Sequence, residues 1–296
     1  MLLNLWVLFY NIKSIFEKCD DKKRGRINMT GAKGISGKVI RDGHIHSSYC
    51  PHGTDDPIEG YIQEALKKGI EEMTFTEHMP LPDHVVSSEL QRECALELGE
   101  VPLYFSELDR MKKKYNNKVK INKGLEVDYI EGYEAQTKEL LDLYGEELED
   151  GILSVHILKV NECYRCIDMG PEEFGEIARE IGGVEKLYDL YYKTLLKAIR
   201  ADLGKYKPRR IGHPTLIRIF NQKYPLVYQN EKLLEEVVKE IKEKEYQIDF
   251  NTAGIRKPFC KEVYPAGLFF ELVQKYKVEI VYGSDAHTAS DVGRDF

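Results

Sequence analysis

The 296-residue sequence has a single tryptophan, six cysteines and no excess of positive charge. It also has no run of the ~18 consecutive apolar residues that a bilayer-spanning helix needs, so a membrane span is not expected. The cysteines, at positions 19, 50, 94, 163, 166 and 260, show no repeated spacing. That excludes a disulfide framework and points to reduced thiols in a cytoplasmic protein. Cys163-Tyr-Arg-Cys166 is a C-x-x-C without a second pair, which is too little for a structural zinc site. Forty-three basic residues stand against 50 acidic ones, a net charge of −7, which argues against a nucleic-acid backbone as the main partner. Internal repeats and low-complexity tracts are absent, and nothing in the chain indicates an oligomeric state.

The composition present, 42% apolar and 31% charged, is that of a globular protein long enough to bury a large core. Residues 2–10 (LLNLWVLFY) are apolar and hold the tryptophan, but no basic run precedes them and no small-residue cleavage site follows, so a secretory leader is not expected. The next segment, to Lys38, is charged and glycine-rich. Residues 1–38 thus read as an appendage, a short amphipathic helix followed by a linker, and 39–296 as the domain proper. In the domain, short β-branched or apolar runs (39–42, 72–76, 119–126, 152–157, 210–212, 247–251 and 279–283) alternate with helical patterns near 57–69, 101–117, 131–145, 171–203, 230–244 and 265–276. Such alternation implies βαβ units and a parallel sheet, and the number of strands suits a barrel.

Polar residues gather at the C-terminal ends of these strands, the end at which parallel barrels build their sites. His44 and His46 follow strand one, with His52 in the next loop. Glu77 and His78 end strand two, Glu126 ends strand three, His156 lies in strand four, His213 follows strand five, and Asp285 and His287 follow the last. Residues i and i+2 of a strand share a face, so His44-Ile-His46 and Asp285-Ala-His287 can each present two donors to one ion. Any one of these histidines alone would more often be an ordinary buried or surface residue. Jointly, seven of the eight histidines occupy the same end of successive strands. Nine candidate ligands exceed what one ion takes and fit two or three divalent transition-metal ions; imidazole and carboxylate suit zinc, iron and manganese alike. The eighth histidine, His84, lies in a proline-rich loop and reads as a rim residue.

Asp42-Gly-His44-Ile-His46 with His52, Glu77-His78, Gly124-Leu-Glu126-Val-Asp128-Tyr129, Ser154-Val-His156, Gly212-His213-Pro214, Asp249-Phe-Asn251-Thr-Ala-Gly254 and Gly283-Ser-Asp285-Ala-His287 together resemble the polymerase and histidinol phosphatase (PHP) superfamily. Tyr49-Cys50-Pro51-His52-Gly53-Thr54 and Lys207-Pro-Arg-Arg-Ile-Gly-His213 favour its monofunctional histidinol-phosphatase branch. The resemblance runs from about residue 40 onward. It implies a distorted (β/α)7 TIM-like barrel with a trinuclear centre: His44, His46, Glu126 and Asp285 on one ion; Glu126, His156 and His213 on a second; His52, His78 and His287 on a third.

The activity so implied is hydrolysis of L-histidinol phosphate, a small-molecule phosphate ester of histidine biosynthesis, by attack of a metal-bound hydroxide on phosphorus. Glu126 and Asp285 then act through the metals. Arg165, after strand four, resembles a phosphate-binding arginine and is expected in the catalytic set. One of Arg209 and Arg210 is expected to face the substrate, since alternation lets only one point inward. Tyr129 is a candidate partner of the phosphate or hydroxide. Ser154 and Asn251 are candidates for orienting ligands, and Asp128 or Glu162 for holding a substrate amine. Two other readings stand beside this one: a PHP phosphoesterase for a nucleotide, sugar phosphate or DNA 3′ end, and a metal-loaded binding protein without turnover.

Overall fold

Seven parallel strands order as β1-β2-β3-β4-β7-β8-β9 in a computed structural model that describes residues 39–296. The expected appendage, residues 1–38, lies outside the described residues. The strands are β1 (Arg41–Ile45), β2 (Glu72–His78), β3 (Lys120–Asp128), β4 (Ile152–Ser154), β7 (Arg210–Ile211), β8 (Gln247–Asn251) and β9 (Ile280–Gly283). The segment just beyond β9 returns to β1: Asp285 N donates to His44 O at 2.8 Å and His46 N to Ala286 O at 2.9 Å, so the sheet closes on itself. The result is the distorted (β/α)7 barrel that strand–helix alternation and family resemblance implied.

The helices cover the barrel with their apolar faces. They are α1 (Ile58–Lys68), α2 (Ser88–Cys94), α3 (Val101–Tyr115), α4 (Glu134–Tyr144), α5 (Pro171–Ile181), α6 (Val184–Arg200), α7 (Glu231–Glu243), the single turn α8 (Ala253–Arg256) and α9 (Gly267–Lys275). In α7 the buried residues Leu233, Leu234, Val237, Val238 and Ile241 repeat every three to four positions, and the Asn230 side chain accepts from Leu233 N at the start. The helical pattern over 171–203 is broken in two by Gly182 and Gly183, at φ 90° and 130°, a conformation that glycine adopts without steric cost.

One element departs from the expected strand pattern. The run 152–157 is not a single strand. β4 stops at Ser154, and after His156 the chain forms an antiparallel hairpin, β5 (Ile157–Val160) with β6 (Cys163–Cys166). The C-x-x-C falls on β6, where residues three apart face opposite sides: Cys163 is exposed and Cys166 joins a small core with Leu81, Val85 and Ile130. The two thiols of this motif therefore do not converge.

Arg210 corrects a sequence expectation. It does point inward, but at the N-terminal end of the barrel, opposite the candidate ligands. It is 1% exposed and donates from Nη2 to Gly43 O and to Asp150 Oδ2, both at 2.8 Å. Arg41 and Thr74 reach the same Asp150 oxygen, each at 2.8 Å. A side chain on Gly43 would collide with the guanidinium, with Arg210 Nη1 2.9 Å from the Cβ position. Arg209 lies outside, over the Tyr246 ring. Neither arginine faces the ligand end, because alternation fixes the face of a residue and not its depth along the strand. Burial alone would push the Asp150 carboxyl up, but Arg210 and Arg41 outweigh it and hold it below the ordinary value. Arg210→Met strips Asp150 of its buried partner and is expected to cost about 3–5 kcal/mol. Equilibrium urea denaturation measures it; an unchanged midpoint would remove the pair from the stabilising core.

Candidate metal centre

Glu126 stands at the middle of the ligand cluster. It is 1% exposed, on β3, with its Cα in register with that of His78 on β2. Its two oxygens face different groups. Oε2 lies 3.2 Å from His44 Nε2, 3.4 Å from His46 Nε2 and 3.4 Å from His78 Nδ1. Oε1 lies 2.9 Å from His213 Nε2 and 3.7 Å from His156 Nε2. Asp285 Oδ1 approaches His46 Nε2 at 3.4 Å and His44 Nε2 at 3.6 Å. The rings of His46 and His287 stack at 4.1 Å, and His52 sits 4.9 Å from His287 and 5.2 Å from His78. All nine expected ligand residues thus come to one mouth.

The local backbone explains the convergence. A bulge between Asp42 and Ile45 shifts the register of β1 and re-aims its end. Asp285 and His213 hold φ at 52° and 22°, where non-glycine residues are strained, and such strain clusters at functional sites. Gly283 clears a path: a Cβ there would lie 2.2 Å from Asp249 Oδ1 and 2.6 Å from His44 Cβ.

Carboxylates behind the imidazoles set their tautomers. His44 Nδ1 and His156 Nδ1 donate to Asp249 Oδ2 and Asp128 Oδ1, each at 2.8 Å. Both rings therefore turn an Nε2 lone pair inward when neutral. There the nitrogens confront others: His44 Nε2 is 3.2 Å from His46 Nε2, and His156 Nε2 is 3.2 Å from His213 Nε2. Facing lone pairs repel at that distance unless a cation or proton lies between them. The buried nitrogens His78 Nδ1 and Nε2 and His287 Nε2 have no hydrogen-bond partner among the described residues. The residues present therefore fit a cluster of divalent ions in both donor chemistry and orientation.

Charge leads to the same conclusion. Among the described residues, Glu126, Asp249 and Asp285 have no lysine or arginine ion pair; their ionic partners are histidines. Burial pushes the His44 imidazole down, but Asp285, Asp249 and Glu126 outweigh it and hold it up at about 10. Glu126 and Asp285 are held well below the usual carboxylate range, against their burial, with His44 the leading opposing charge for both. Without metal, the acids can be neutralised only by recruiting protons onto the histidines.

Other expected residues sort differently. Ser154 Oγ donates to Glu126 Oε1 at 2.6 Å, and Asn251 Nδ2 donates to Asp285 Oδ2 at 3.1 Å, so both brace ligands. Asp128 holds His156 rather than a substrate amine. Glu162 is exposed at the hairpin turn, beside Lys159. Tyr129 OH donates to Glu134 Oε1 at 2.7 Å. His84 lines a separate groove with Pro80, Pro82 and Leu143. Arg165, expected at the phosphate, is instead clasped by α5: its Nε is 2.5 Å from Glu173 Oε1 and its Nη1 3.1 Å from Glu180 Oε2. The hairpin carries it to that helix, and it does not line the mouth.

A cavity of about 300 Å³ opens over the centre, with His52, His78, Glu126, His156, His213, Asp285 and His287 among its lining. Its rim adds Asp168, Arg256 and Lys257, which sequence reasoning missed. Arg256 followed the Asn-Thr-Ala-Gly motif closely enough to have been considered. Asp249 and Glu77 were visible as motif residues without a role; Glu77 Oε1 accepts from Ser47 N and Oγ, fixing the turn after His46.

Residues 42–253 match the model of the PHP domain family. A histidinol-phosphatase of Bacillus subtilis is 39% identical over 255 residues, 86% of this chain and 95% of that protein. A crystal structure of a Listeria monocytogenes protein assigned as a histidinol phosphatase superposes with a TM-score of 0.81 at 35% identity, covering 86% of this chain and 98% of that one. A histidinol phosphate phosphatase from Lactococcus lactis, crystallised with zinc, L-histidinol and phosphate, shares the fold at 21% identity, with a TM-score of 0.60 and coverage of 84% and 87%.

Two outcomes are expected. Glu126→Gln weakens the shared carboxylate and should lower bound metal, read by elemental analysis of the purified protein; full metal content would show that Glu126 is not a ligand. In chelator-stripped protein, His44 is held above its ordinary value. Its stabilising contribution is complete below about 6.5 and lost as pH rises through about 10. The denaturation midpoint of the stripped form should therefore fall across that range. A flat profile would remove the buried acids as the cause.

Proposed function

This chain belongs to the PHP-domain family, and from that membership we propose that it is a metal-dependent histidinol-phosphatase, converting L-histidinol phosphate and water into L-histidinol and phosphate in histidine biosynthesis. The observation that carries the reading is the cluster of nine candidate ligand residues: seven line a cavity of about 300 Å³, a volume suited to a small molecule, and His44 and His46 lie buried beside them. The Bacillus subtilis relative bears the same activity in its name, and the Lactococcus lactis protein holds zinc with histidinol and phosphate.

His44, His46, Glu126 and Asp285 would hold one divalent ion, Glu126, His156 and His213 a second, and His52, His78 and His287 a third, with zinc, iron or manganese all compatible with the donors. Bound there, such ions supply positive charge for the phosphoryl oxygens and make a water molecule acidic near neutral pH. The protein's own residues do the positioning. Asp249 and Asp128 keep protons on His44 Nδ1 and His156 Nδ1, so that both Nε2 atoms stay available. Arg256 donates from Nη2 to Ser284 O at 2.6 Å, which anchors it at the rim. Lys257 forms no ion pair among the described residues. We assign these two cations, in place of Arg165, Arg209 and Arg210, to the phosphate end of the substrate. Asp168, on the same rim and without a lysine or arginine partner among the described residues, suits the substrate's ammonium group. No helix among the described residues is long and apolar enough to cross a membrane. We place the reaction in the cytoplasm, in keeping with the thiol content and the biosynthetic substrate.

Phosphate release from histidinol phosphate, p-nitrophenyl phosphate and nucleotides tests the reading. A strong preference for histidinol phosphate is expected; broad, weak activity would transfer the site to another phosphate ester, and bound metal without turnover would leave only a binding protein. Lys257→Ala is expected to raise KM for histidinol phosphate about tenfold, worth about 1.4 kcal/mol of binding, with metal content unchanged. Unchanged KM would take Lys257 out of substrate binding.

A further inference from the structure

In the sequence Cys50 stands in the Tyr49–Thr54 motif with no role of its own, and the fold brings it into the mouth. The turn after His46 is tightly pinned: Cys50 N donates to Ser47 O and Gly53 N to Cys50 O, each at 3.0 Å, and the thiol is 5% exposed. Its Sγ and one ring nitrogen each of His46, His78 and His287 all lie within 4.8 Å of one another. The sulfur also faces His52. A second observation is independent of the cysteine. His78 is 8% exposed and both of its ring nitrogens lack hydrogen bonds, as does His287 Nε2. Desolvated nitrogens without partners on two rings around a buried sulfur describe a ligand set awaiting a cation.

We propose that Cys50 Sγ ligates the outer ion alongside His78 and His287, giving that position a sulfur donor. The inference rests on the metal-centre reading above and adds to it a ligand and a preference among metals. On binding, the thiol proton passes to solvent and a sulfur lone pair forms the bond to the ion. A thiolate is a soft donor, so this position favours zinc over manganese, whereas the positions built on Glu126 and Asp285 are harder.

The test uses the full-length protein, stripped with chelator and titrated with cobalt(II) under anaerobic conditions. Wild type is expected to develop a near-ultraviolet sulfur-to-cobalt charge-transfer band together with visible bands. Cys50→Ser and Cys50→Ala should lose the charge-transfer band, keep the visible bands of the remaining sites, and bind the last zinc equivalent about tenfold more weakly or worse. Cys163→Ser, on the exposed hairpin, should keep the band. Cobalt uptake by wild type without the band overturns the ligation outright, whether or not the variants fold. A band that survives Cys50→Ser in folded protein overturns it as well, because the sulfur is then another one. Failure of wild type to take up cobalt or zinc at all would instead overturn the metal centre, and with it this inference.

Discussion

Burying several carboxylates in one place costs several kcal/mol per charge unless positive charge is buried with them. Glu126 and Asp249 are buried with the partly buried Asp285 beside them, and no lysine or arginine pairs with them among the described residues. That constraint shapes everything at the C-terminal end of the barrel. Imidazoles surround the acids because they can take either protons or metal ions on the inward nitrogen. The direction of most perturbed groups there follows: His44 and His156 are held up against their burial, while Glu126 and Asp285 are held down against theirs. His78 is the exception, driven well below its ordinary value by burial, with the positive charge of its histidine neighbours adding to that. Its ring nitrogens make no hydrogen bond among the described residues, and it is the neutral imidazole that binds metal.

Holding such a cluster requires a scaffold that tolerates local strain. The bulge in β1 and the left-handed backbone at Asp285 and His213 each carry a conformational cost. Parallel pairing on both sides of these residues offsets it, with Asp285 N and His46 N both bonded across the barrel closure. The outward-facing partners Asp249, Asp128 and Glu77 then fix each ring. The strands supply position, the carboxylates supply orientation, and the inward nitrogens are left to the ligand.

The ligands were legible in the sequence because their geometry is local. The candidate ligands fall at strand ends, with His44 on β1 and His46 just past it, and Asp285 and His287 just past β9, and strand ends can be read from where apolar runs stop. The arginines were not legible because their roles depend on depth and on distant partners. Parity correctly limited the pair Arg209 and Arg210 to one inward residue, yet nothing in the run Lys-Pro-Arg-Arg says which end of the barrel that residue reaches. Arg165 sits on a hairpin that reads in sequence as the end of a strand and a loop, and its partners Glu173 and Glu180 belong to the next helix. The proposed role of Cys50 was not legible for another reason: a turn, not a strand, aims it, and turns carry no periodicity.

The two ends of the barrel make an internal comparison. At the N-terminal end Asp150 is partly buried, and it receives Arg210, Arg41 and Thr74 on one oxygen, so its charge is answered within the fold. At the other end the acids outnumber any cation the chain supplies, and facing imidazole nitrogens stand 3.2 Å apart in two pairs. One interior, one solvent history and one sequence produced both clusters. The first is a structural ion pair that is complete as it stands. In the second the acids face imidazoles rather than lysine or arginine, and this asymmetry, more than the number of histidines, marks the C-terminal mouth as the functional end of the molecule.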